Sequence, residues 1–257
     1  MRIHRLSILP VLAICLSLAQ AATAQVSLRQ VDGFRSPFPE SKVSISATNL
    51  TSSGGQQAPK KFEVYLNKRD ESIVEMLTGS EAGRFVLITD TSLYLYIPST
   101  NRPVRISPLQ RLTGEANFGD IGRLTLDGSY KITSRSKDSA PAGPPQNVRF
   151  ALSKSNNVEK LTLQATKRTS TYAKITLWID AKSGQPIRAD FFLTSGKHIK
   201  SAWYSKPERF NGRMVSLKLA LSNPKPPFKT TILSTTAAEQ RSFSRRLFSV
   251  KNFRDIK

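Results

Sequence analysis

The chain is poor in the side chains that most enzymes use for catalysis. Its 257 residues include one cysteine, Cys15, and two histidines, His4 and His198. Cys15 lies in an apolar N-terminal run, so the rest of the chain has no thiol for a disulfide or a nucleophile. A zinc site needs about three or four clustered nitrogen, sulfur or oxygen ligands, and no such cluster is visible in the sequence. We therefore expect a protein with no metal, no cofactor and no enzymatic activity.

The remaining catalytic options rest on single residues. His198 lies in a polar turn, which is typical of a surface histidine, whereas a Ser–His–Asp site needs a buried imidazole oriented by a carboxylate. Asp120 and Asp127 are the best candidates for a pair of carboxylates, but glycoside hydrolysis needs the two acids about 5–10 Å apart in a cleft. A hydrolase that uses Asp120 or Asp127 is a third hypothesis for the function.

Negative charge is also scarce. The sequence has 39 Lys and Arg residues against 18 Asp and Glu residues, a formal net charge of +21. Such a surface attracts anionic lipid headgroups, lipopolysaccharide or nucleic acid, although it is also simply a well-solvated exterior. The cations are scattered along the chain and not gathered in a run, so we expect no nucleic acid as a partner.

Long hydrophobic runs are absent beyond the start of the chain. A positively charged beginning precedes the apolar run from Leu6 to Ala19, and Ala22 and Ala24 supply the small residues that a signal peptidase reads. The run is shorter than the about 18 residues of a membrane-spanning helix, and no later stretch approaches that length. We expect residues 1–24 to be a cleaved signal peptide and residues 25–257 to be one domain without a transmembrane segment. The expected location is the periplasm of a Gram-negative bacterium.

Apolar and polar residues alternate with a period of two along most of the remaining chain. Val43 and Ile45 alternate with serines, and Leu177 and Ile179 flank Trp178 in the same way. In a strand this spacing places one apolar row on one face of a sheet. Strands recur about every dozen residues and are joined by hairpin signals, which predicts a mainly β protein with an antiparallel barrel or sandwich.

Helix signals are few. Leu28 and Val31 share a short helical face before Pro37 ends it, and one or two helical turns are expected between Leu109 and Leu112. The latter turns fall in a polar segment, residues 102–126, that interrupts the strand pattern. This segment has too few apolar residues for a core but enough to cover one, so we interpret it as a candidate lid. Its candidate residues are Arg102, Arg105, Leu109, Arg111, Leu112, Phe118, Asp120 and Ile121.

Asp120 stands out in the candidate lid because several arginines surround it in sequence. The simpler interpretation is a structural ion pair between Asp120 and one of these arginines. Exposed pairs contribute only about 0–1 kcal/mol, which is little for holding a mobile segment closed. The alternative is a functional latch that holds a mobile segment closed.

The predicted sheet has almost no helix to cover its apolar face. Either the sheet closes on itself, or a lid and a ligand share that face. An acyl chain in such a trough gains about 0.8 kcal/mol per buried methylene. The alternative is that the same side chains are simply core. The candidate ligand-binding residues are Val43, Ile45, Phe62, Val64, Leu66, Leu93, Leu95, Ile97, Leu177, Ile179 and Phe191.

Segments spread over nearly the whole chain after residue 24 share a family pattern. They read VDGFRSP (31–37), LYLYIPS (93–99), RPVRISP (102–108), QRLTG (110–114), LWID (177–180) and GQPIRA (184–189). In this order they resemble the outer-membrane lipoprotein-sorting protein family, the LolA/LolB-like periplasmic carriers. No single segment is specific, but the ordered set is.

The resemblance implies an incomplete antiparallel β-barrel, or half-barrel, with a short helical lid over a hydrophobic cavity. It also implies a non-enzymatic carrier that takes up the acyl chains of lipoproteins or lipids and supports outer-membrane lipoprotein sorting. Its partners would be inner- or outer-membrane transport components. The alternative is a cell-envelope sensor or adaptor, accessory to an export system, that binds a protein or an anionic lipid through its basic surface.

Overall fold

The structure, a computed structural model, describes residues 25–51, 55–100, 102–123 and 125–256. The expected signal peptide, residues 1–24, lies outside the described residues. Helices are confined to α1 (Leu28–Asp32), α2 (Phe118–Gly122) and three 3₁₀ turns at Gly79–Glu81, Arg245–Leu247 and Phe253–Asp255 in the part that is described. None of these described helices has the length and apolar character needed to cross a membrane.

Seventeen strands make up the rest of the described secondary structure. They are β1 (Ser41–Leu50), β2 (Lys60–Leu66), β3 (Ser72–Met76), β4 (Phe85–Ile88), β5 (Leu93–Tyr96), β6 (Pro103–Ile106), β7 (Arg111–Thr113), β8 (Ala116–Asn117), β9 (Tyr130–Asp138), β10 (Val158–Ala165), β11 (Lys174–Asp180), β12 (Pro186–Phe192), β13 (His198–Tyr204), β14 (Glu208–Phe210), β15 (Arg213–Val215), β16 (Lys218–Ser222) and β17 (Thr230–Gln240).

Thirteen of these strands form one antiparallel sheet in the order β6-β5-β4-β3-β2-β1-β17-β16-β13-β12-β11-β10-β9. The first strand pairs with the last at the centre of the sheet, from Ser41 opposite Gln240 to Leu50 opposite Thr230. The edge strands β6 and β9 do not pair with each other, so the sheet stays open and a gap separates its two edges. The predicted incomplete antiparallel barrel is therefore confirmed.

Alternation along the strands sorts the side chains onto two faces. In β1 the buried residues Val43, Ile45 and Ala47 point to one face, and half-buried residues lie between them. This face, the inner face, carries a large apolar cluster drawn from both halves of the sheet and from both helices. Each strand thus contributes one row of side chains to a shared core, as the period of two predicts.

A smaller apolar cluster lies on the opposite, outer face of the sheet. Tyr65, Ile73 and Leu87 of the sheet pack there against Phe248 and Phe253 of the C-terminal segment. The C-terminal segment is therefore a second cover, and it makes two 3₁₀ turns.

The helical turns expected between Leu109 and Leu112 are wrong. Residues 111–113 form β7, which folds back on β8 around Gly114 at φ +51°. A Cβ atom at Gly114 would lie 1.9 Å from the Oδ1 atom of Asn49, so only glycine fits this turn. The helix begins later, at Phe118, where Asn117 and Asp120 form a capping box. The short N-terminal helix is confirmed as α1, with Ser27 as its N-cap.

The buried row of β11 provides a test of the assignment of the two faces. Leu177 is fully buried in the inner-face cluster, and its neighbour Thr176 points the other way and is half-buried. We expect Leu177→Ala to lower the free energy of unfolding by about 2–5 kcal/mol, because truncation leaves a cavity in a packed core. The control Thr176→Ala should cost less than about 1 kcal/mol. Chemical denaturation measures both, and equal losses would contradict the assignment.

Candidate functional site: an apolar face under a lid

The inner face brings together all the residues predicted to bind a ligand. Ten of the eleven are at most 8 % exposed, and Ile97 is half-buried and packs against them. They belong to one contiguous cluster that joins β1, β2 and β5 on one side to β11 and β12 on the other, and they are Val43, Ile45, Phe62, Val64, Leu66, Leu93, Leu95, Ile97, Leu177, Ile179 and Phe191. Whether this cluster holds a ligand remains a prediction.

The inner face is packed as a core in this conformation. A cavity of about 50 Å³ borders it, lined by Ile45, Leu219 and Leu233 together with the polar groups of Arg35, Asp120 and Tyr204 and neighbouring residues. One water molecule occupies about 30 Å³ in the liquid, so this cavity is too small for a hydrocarbon chain. An acyl chain can reach the inner face only where a covering segment moves away.

The covering segment over the gap is residues 107–123, which contain β7, β8 and α2 and are called the lid below. Phe118 and Ile121 of α2 are buried in the inner-face cluster, and Leu109 and Leu112 pack against it while half-buried. The apolar residues of the predicted lid therefore point inward.

The arginines of the candidate lid segment occupy different places. Arg105 lies on the edge strand β6 and Arg102 directly precedes that strand, so neither belongs to the lid. Arg111 lies in the lid, is exposed and pairs loosely with Glu115 at 3.7 Å. These positions correct the sequence-based assignment, which treated residues 102–126 as one segment. The reason is that Pro103–Ile106 pairs with β5 and continues the sheet.

Two glycines let α2 lie directly on the wall of the sheet. A Cβ atom at Gly122 would be 2.2 Å from the Cδ1 atom of Ile88, and one at Gly119 would be 1.9 Å from the Oγ1 atom of Thr171. Atoms at these distances overlap, so a side chain at either position would push the helix away from the sheet. The lid is thus held in contact with both halves of the sheet, β4 on one side and the β10–β11 turn on the other.

A buried ion pair fastens α2 to the far half of the sheet. The Nζ atom of Lys200 in β13 lies 2.6 Å from the Oδ2 atom of Asp120, and both side chains are about 5 % exposed or less. The Tyr172 hydroxyl donates a hydrogen bond of 2.5 Å to Oδ1 of Asp120. Asp120 thus does form an ion pair, but with Lys200 and not with an arginine of its own segment. We call Asp120, Lys200 and Tyr172 the latch.

Burial sets the protonation of the latch tyrosine. Removal of Tyr172 from water, together with the Asp120 carboxylate beside it, raises the pKa of the phenol well above its ordinary value. Tyr172 therefore stays protonated at neutral pH and donates to Asp120. The backbone N–H of Asn117 also donates to Oδ2 of Asp120 at 2.8 Å, so the carboxylate closes the start of α2 as well.

A second buried carboxylate holds the chain just after the lid. Asp32, at the end of α1, accepts hydrogen bonds from the backbone N–H groups of Leu126 and Asp127 at 2.8 and 2.7 Å. Arg35 lies 3.2 Å away and forms an ion pair with it. Burial is the main cause that raises the pKa of Asp32 from 3.8 to about 6, and the arginine and the two N–H groups oppose this rise.

The catalytic candidates from the sequence are engaged in structural contacts. The Nε2 atom of His198 lies 2.9 Å from the carbonyl oxygen of Lys200 and 3.1 Å from the Oγ atom of Ser201. Ser201 donates to Oδ1 of Asp190 at 2.7 Å, whereas Nε2 of His198 lies 3.7 Å from the same oxygen, beyond hydrogen-bond distance. A Ser–His–Asp triad requires the opposite connection. No group of three or more His, Cys, Asp or Glu side chains in the described part of the chain is placed to hold a metal ion.

Asp127 lies apart from the latch. Its side chain is half exposed and makes a 3.4 Å ion pair with the exposed Arg29. Asp120, in contrast, is enclosed by Lys200, Tyr172 and the Asn117 backbone. The two acids proposed as a hydrolytic pair therefore have different surroundings and different partners.

Solved structures share this architecture. A LolA superfamily protein from Nitrosomonas europaea superposes with a TM-score of 0.72 at 22 % identity, covering 86 % of this chain and 95 % of that chain. A domain described as an outer membrane lipoprotein-sorting protein from Vibrio parahaemolyticus gives 0.61 at 16 % identity, with 87 % and 95 % covered. A DUF1329 family protein from Desulfovibrio piger gives 0.59 at 14 % identity, with 86 % and 92 % covered. These likenesses establish the LolA-like fold.

Sequence comparison adds a family. A family model described as uncharacterized protein matches residues 68–255, which is most of the chain. No curated protein matches the sequence.

The latch can be tested by a double-mutant cycle. We expect Lys200→Met to lower the free energy of unfolding by about 3–5 kcal/mol, because it leaves the Asp120 carboxylate buried without a counter-charge. Adding Asp120→Asn should recover much of that loss, since the amide is neutral and still accepts the hydrogen bond from Tyr172. Urea denaturation of wild type, both single variants and the double variant gives the coupling. Additive losses would show that the two groups do not interact.

The raised pKa of Asp32 makes stability depend on pH. Because the folded-state pKa of about 6 exceeds the ordinary value of 3.8, its contribution to stability is fully present below about pH 4 and is lost as the pH rises through 6. Asp32→Asn removes this titration. We expect the stability of the variant relative to wild type to rise by about 2 kcal/mol between pH 4 and pH 7. Chemical denaturation at several pH values measures this, and parallel pH curves would contradict it.

Proposed function

We propose that this chain, which belongs to the family whose model matches residues 68–255, is a periplasmic carrier for acylated amphiphiles such as lipoproteins. The acyl chains bind on the inner face after the lid moves away. One observation carries the proposal: an apolar face that spans both halves of an open sheet is covered by a short lid, and not by closure of the sheet.

The open edges give an acyl chain a route to the inner face. The gap between β6 and β9 is bridged by the lid, and no described strand pairs across it. Movement of the lid therefore uncovers apolar side chains without breaking any hydrogen bond of the main sheet. Such a movement is a small rearrangement of a segment attached by its two ends.

The magnitudes favour exchange of the lid for an acyl chain. Exposing Phe118 and Ile121 costs about 1.5–3 kcal/mol each, and the half-buried Leu109 and Leu112 add a smaller cost. Separating the latch and the hydrogen bonds that the lid makes to Asn49 and Thr231 adds several kcal/mol. An acyl chain of about sixteen carbons gains roughly 12 kcal/mol if each methylene contributes about 0.8 kcal/mol. The latch groups also regain water when they separate, which lowers the net cost. The filled inner face is therefore compatible with a carrier in its closed, unloaded state.

The LolA-like fold supports the same function. The solved structures that share it include a domain described as an outer membrane lipoprotein-sorting protein. In this proposal the expected signal peptide directs residues 25–257, as one domain, to the periplasm. There the loaded carrier meets inner- and outer-membrane transport components.

A reversible lock on the lid tests the proposal. A Cβ atom at Gly119 would lie 2.8 Å from the Cβ atom of Thr171. A disulfide places two Cβ atoms about 3.5–4.5 Å apart, so Gly119→Cys with Thr171→Cys moves α2 outward by roughly 1 Å while still tying it to the sheet. Cys15 is replaced by serine, so that these are the only thiols. We expect the reduced protein to bind a fluorescent fatty acid and the oxidised protein to lose at least about 90 % of that binding, because the lid cannot leave.

The control is the wild-type lid with Cys15 replaced by serine, measured with and without reductant. It should bind the fatty acid equally under both conditions. Native mass spectrometry of the reduced double-cysteine protein should show the acyl ligand on the folded chain. Binding that is unaffected by oxidation would contradict the role of the lid, and absence of binding to the control would contradict the carrier function.

The packed inner face is the observation that favours a second candidate. A cell-envelope sensor or adaptor would keep this face as a permanent core and would bind a protein or an anionic lipid through the basic surface. Binding of that kind weakens as salt rises, because screening acts on exposed charges. Buried acyl chains are retained in high salt, so the salt dependence of the bound partner separates the two functions.

A further inference from the structure

A cleft of about 500 Å³ lies beside the lid, where the two halves of the open sheet approach each other. One wall is the edge strand β6 with the β4–β5 turn, and the other is the β10–β11 turn. The charged and apolar side chains that line it include Asp90, Leu93, Arg105, Ile106, Lys167 and Arg168.

Positive charge exceeds negative charge around this cleft. Arg105 is exposed, and its Nη2 atom donates to the carbonyl oxygen of Thr91 at 3.3 Å. Asp90 carries the one carboxylate among the lining residues. It is paired with Lys167 at 2.7 Å. Arg168 is exposed and has no ion pair with a described residue. Two arginines thus remain without a counter-charge, which is the arrangement that attracts an anion.

A third arginine adds positive charge from behind the wall. Arg123 ends α2 and is 7 % exposed. Its Nη2 atom donates to the carbonyl oxygen of Thr89 and to the Oγ1 atom of Thr169, both at 2.8 Å, and Thr169 lines the cleft. The Nε and Nη1 atoms are buried without a described hydrogen-bond partner, and no described carboxylate pairs with the guanidinium. The charges of Asp70 and Asp90 act on Arg123 from beyond ion-pair distance, and a buried cation with no paired carboxylate favours a bound anion nearby.

The floor of the cleft continues into the apolar face. Leu93 lines the cleft and is also a fully buried member of the inner-face cluster, and Ile106 lines the cleft and packs against that cluster. The charged part of an amphiphile held in the cleft would therefore sit next to the place where its hydrocarbon part enters. Phosphate suits the site because arginine guanidinium groups bind its oxygens with paired hydrogen bonds.

We propose that the cleft binds a phosphate group carried by the amphiphile whose acyl chains occupy the inner face. This inference rests on the proposed carrier function and narrows its cargo from lipoproteins and other acylated amphiphiles to lipids with a phosphate-bearing headgroup. Arg105 and Arg168 contact the phosphate, and Arg123 supports it from the wall. The position beside β6 and α2 lets headgroup binding precede movement of the lid.

The test compares two soluble, short-chain lipids with identical acyl chains, diacylglycerol and phosphatidic acid, on the full chain. We expect wild type to prefer phosphatidic acid by about 25-fold, because each of the two contacting arginines contributes about fivefold. In Arg105→Gln with Arg168→Gln this ratio should fall to about one. The matched control is Arg209→Gln with Arg245→Gln, which removes the same charge from exposed residues outside the cleft and should keep the ratio of wild type.

Each result has one meaning. Failure of wild type to bind either lipid would overturn the carrier function itself. Equal affinity of wild type for the two lipids, or an equal loss of preference in the control, would overturn only the headgroup site. Inorganic phosphate is the third probe: if it binds wild type as tightly as phosphatidic acid does, and the cleft variant loses it, the cleft holds free phosphate and the headgroup assignment is wrong.

Discussion

The failure of β6 and β9 to pair is the constraint on which the rest of the structure depends. A sheet of thirteen strands that does not close leaves one apolar face without a partner layer. The chain covers that face with the segment that joins the two edges, and a segment of that length cannot supply a second sheet. Because the gap is open, the lid has to cover the inner face. The capping box and the latch hold the lid in that place.

Local pattern predicted the sheet better than it predicted the lid. The alternation around Val43 and Leu177 reports which side chains are buried, because it depends only on the geometry of a strand. The helix was expected near Leu109, although the capping pair Asn117 and Asp120 marks its true start and was present in the sequence.

Contacts between distant residues could not be read from the sequence. Lys200 is 80 residues from Asp120, and nothing in the local sequence of β13 marks it as the partner. The arginines near Asp120 in sequence were the obvious candidates for its ion-pair partner. However, Arg105 lies in the edge strand β6, and Arg123 donates to Thr169 in the wall of the cleft. The same reason explains why Asp32 was not identified: its ligands are backbone N–H groups of residues 126 and 127, and these have no sequence signature.

The chemistry of the lid contacts bears on how the inner face can be opened. Phe118 and Ile121 hold the lid closed because their side chains are buried. This hydrophobic contribution has no direction, so it does not depend on the exact position of α2 on the sheet. The latch and the close contacts of Gly119 and Gly122 hold only one position of α2, because an ion pair and a hydrogen bond need fixed geometry. A lid held in this way has a defined closed state and no stable partly open one: once α2 rises, the latch is broken and water reaches Asp120 and Lys200. In the proposed carrier, an amphiphile would therefore replace the lid in one step, and Arg123, at the end of the same helix, would link that step to the cleft beside it.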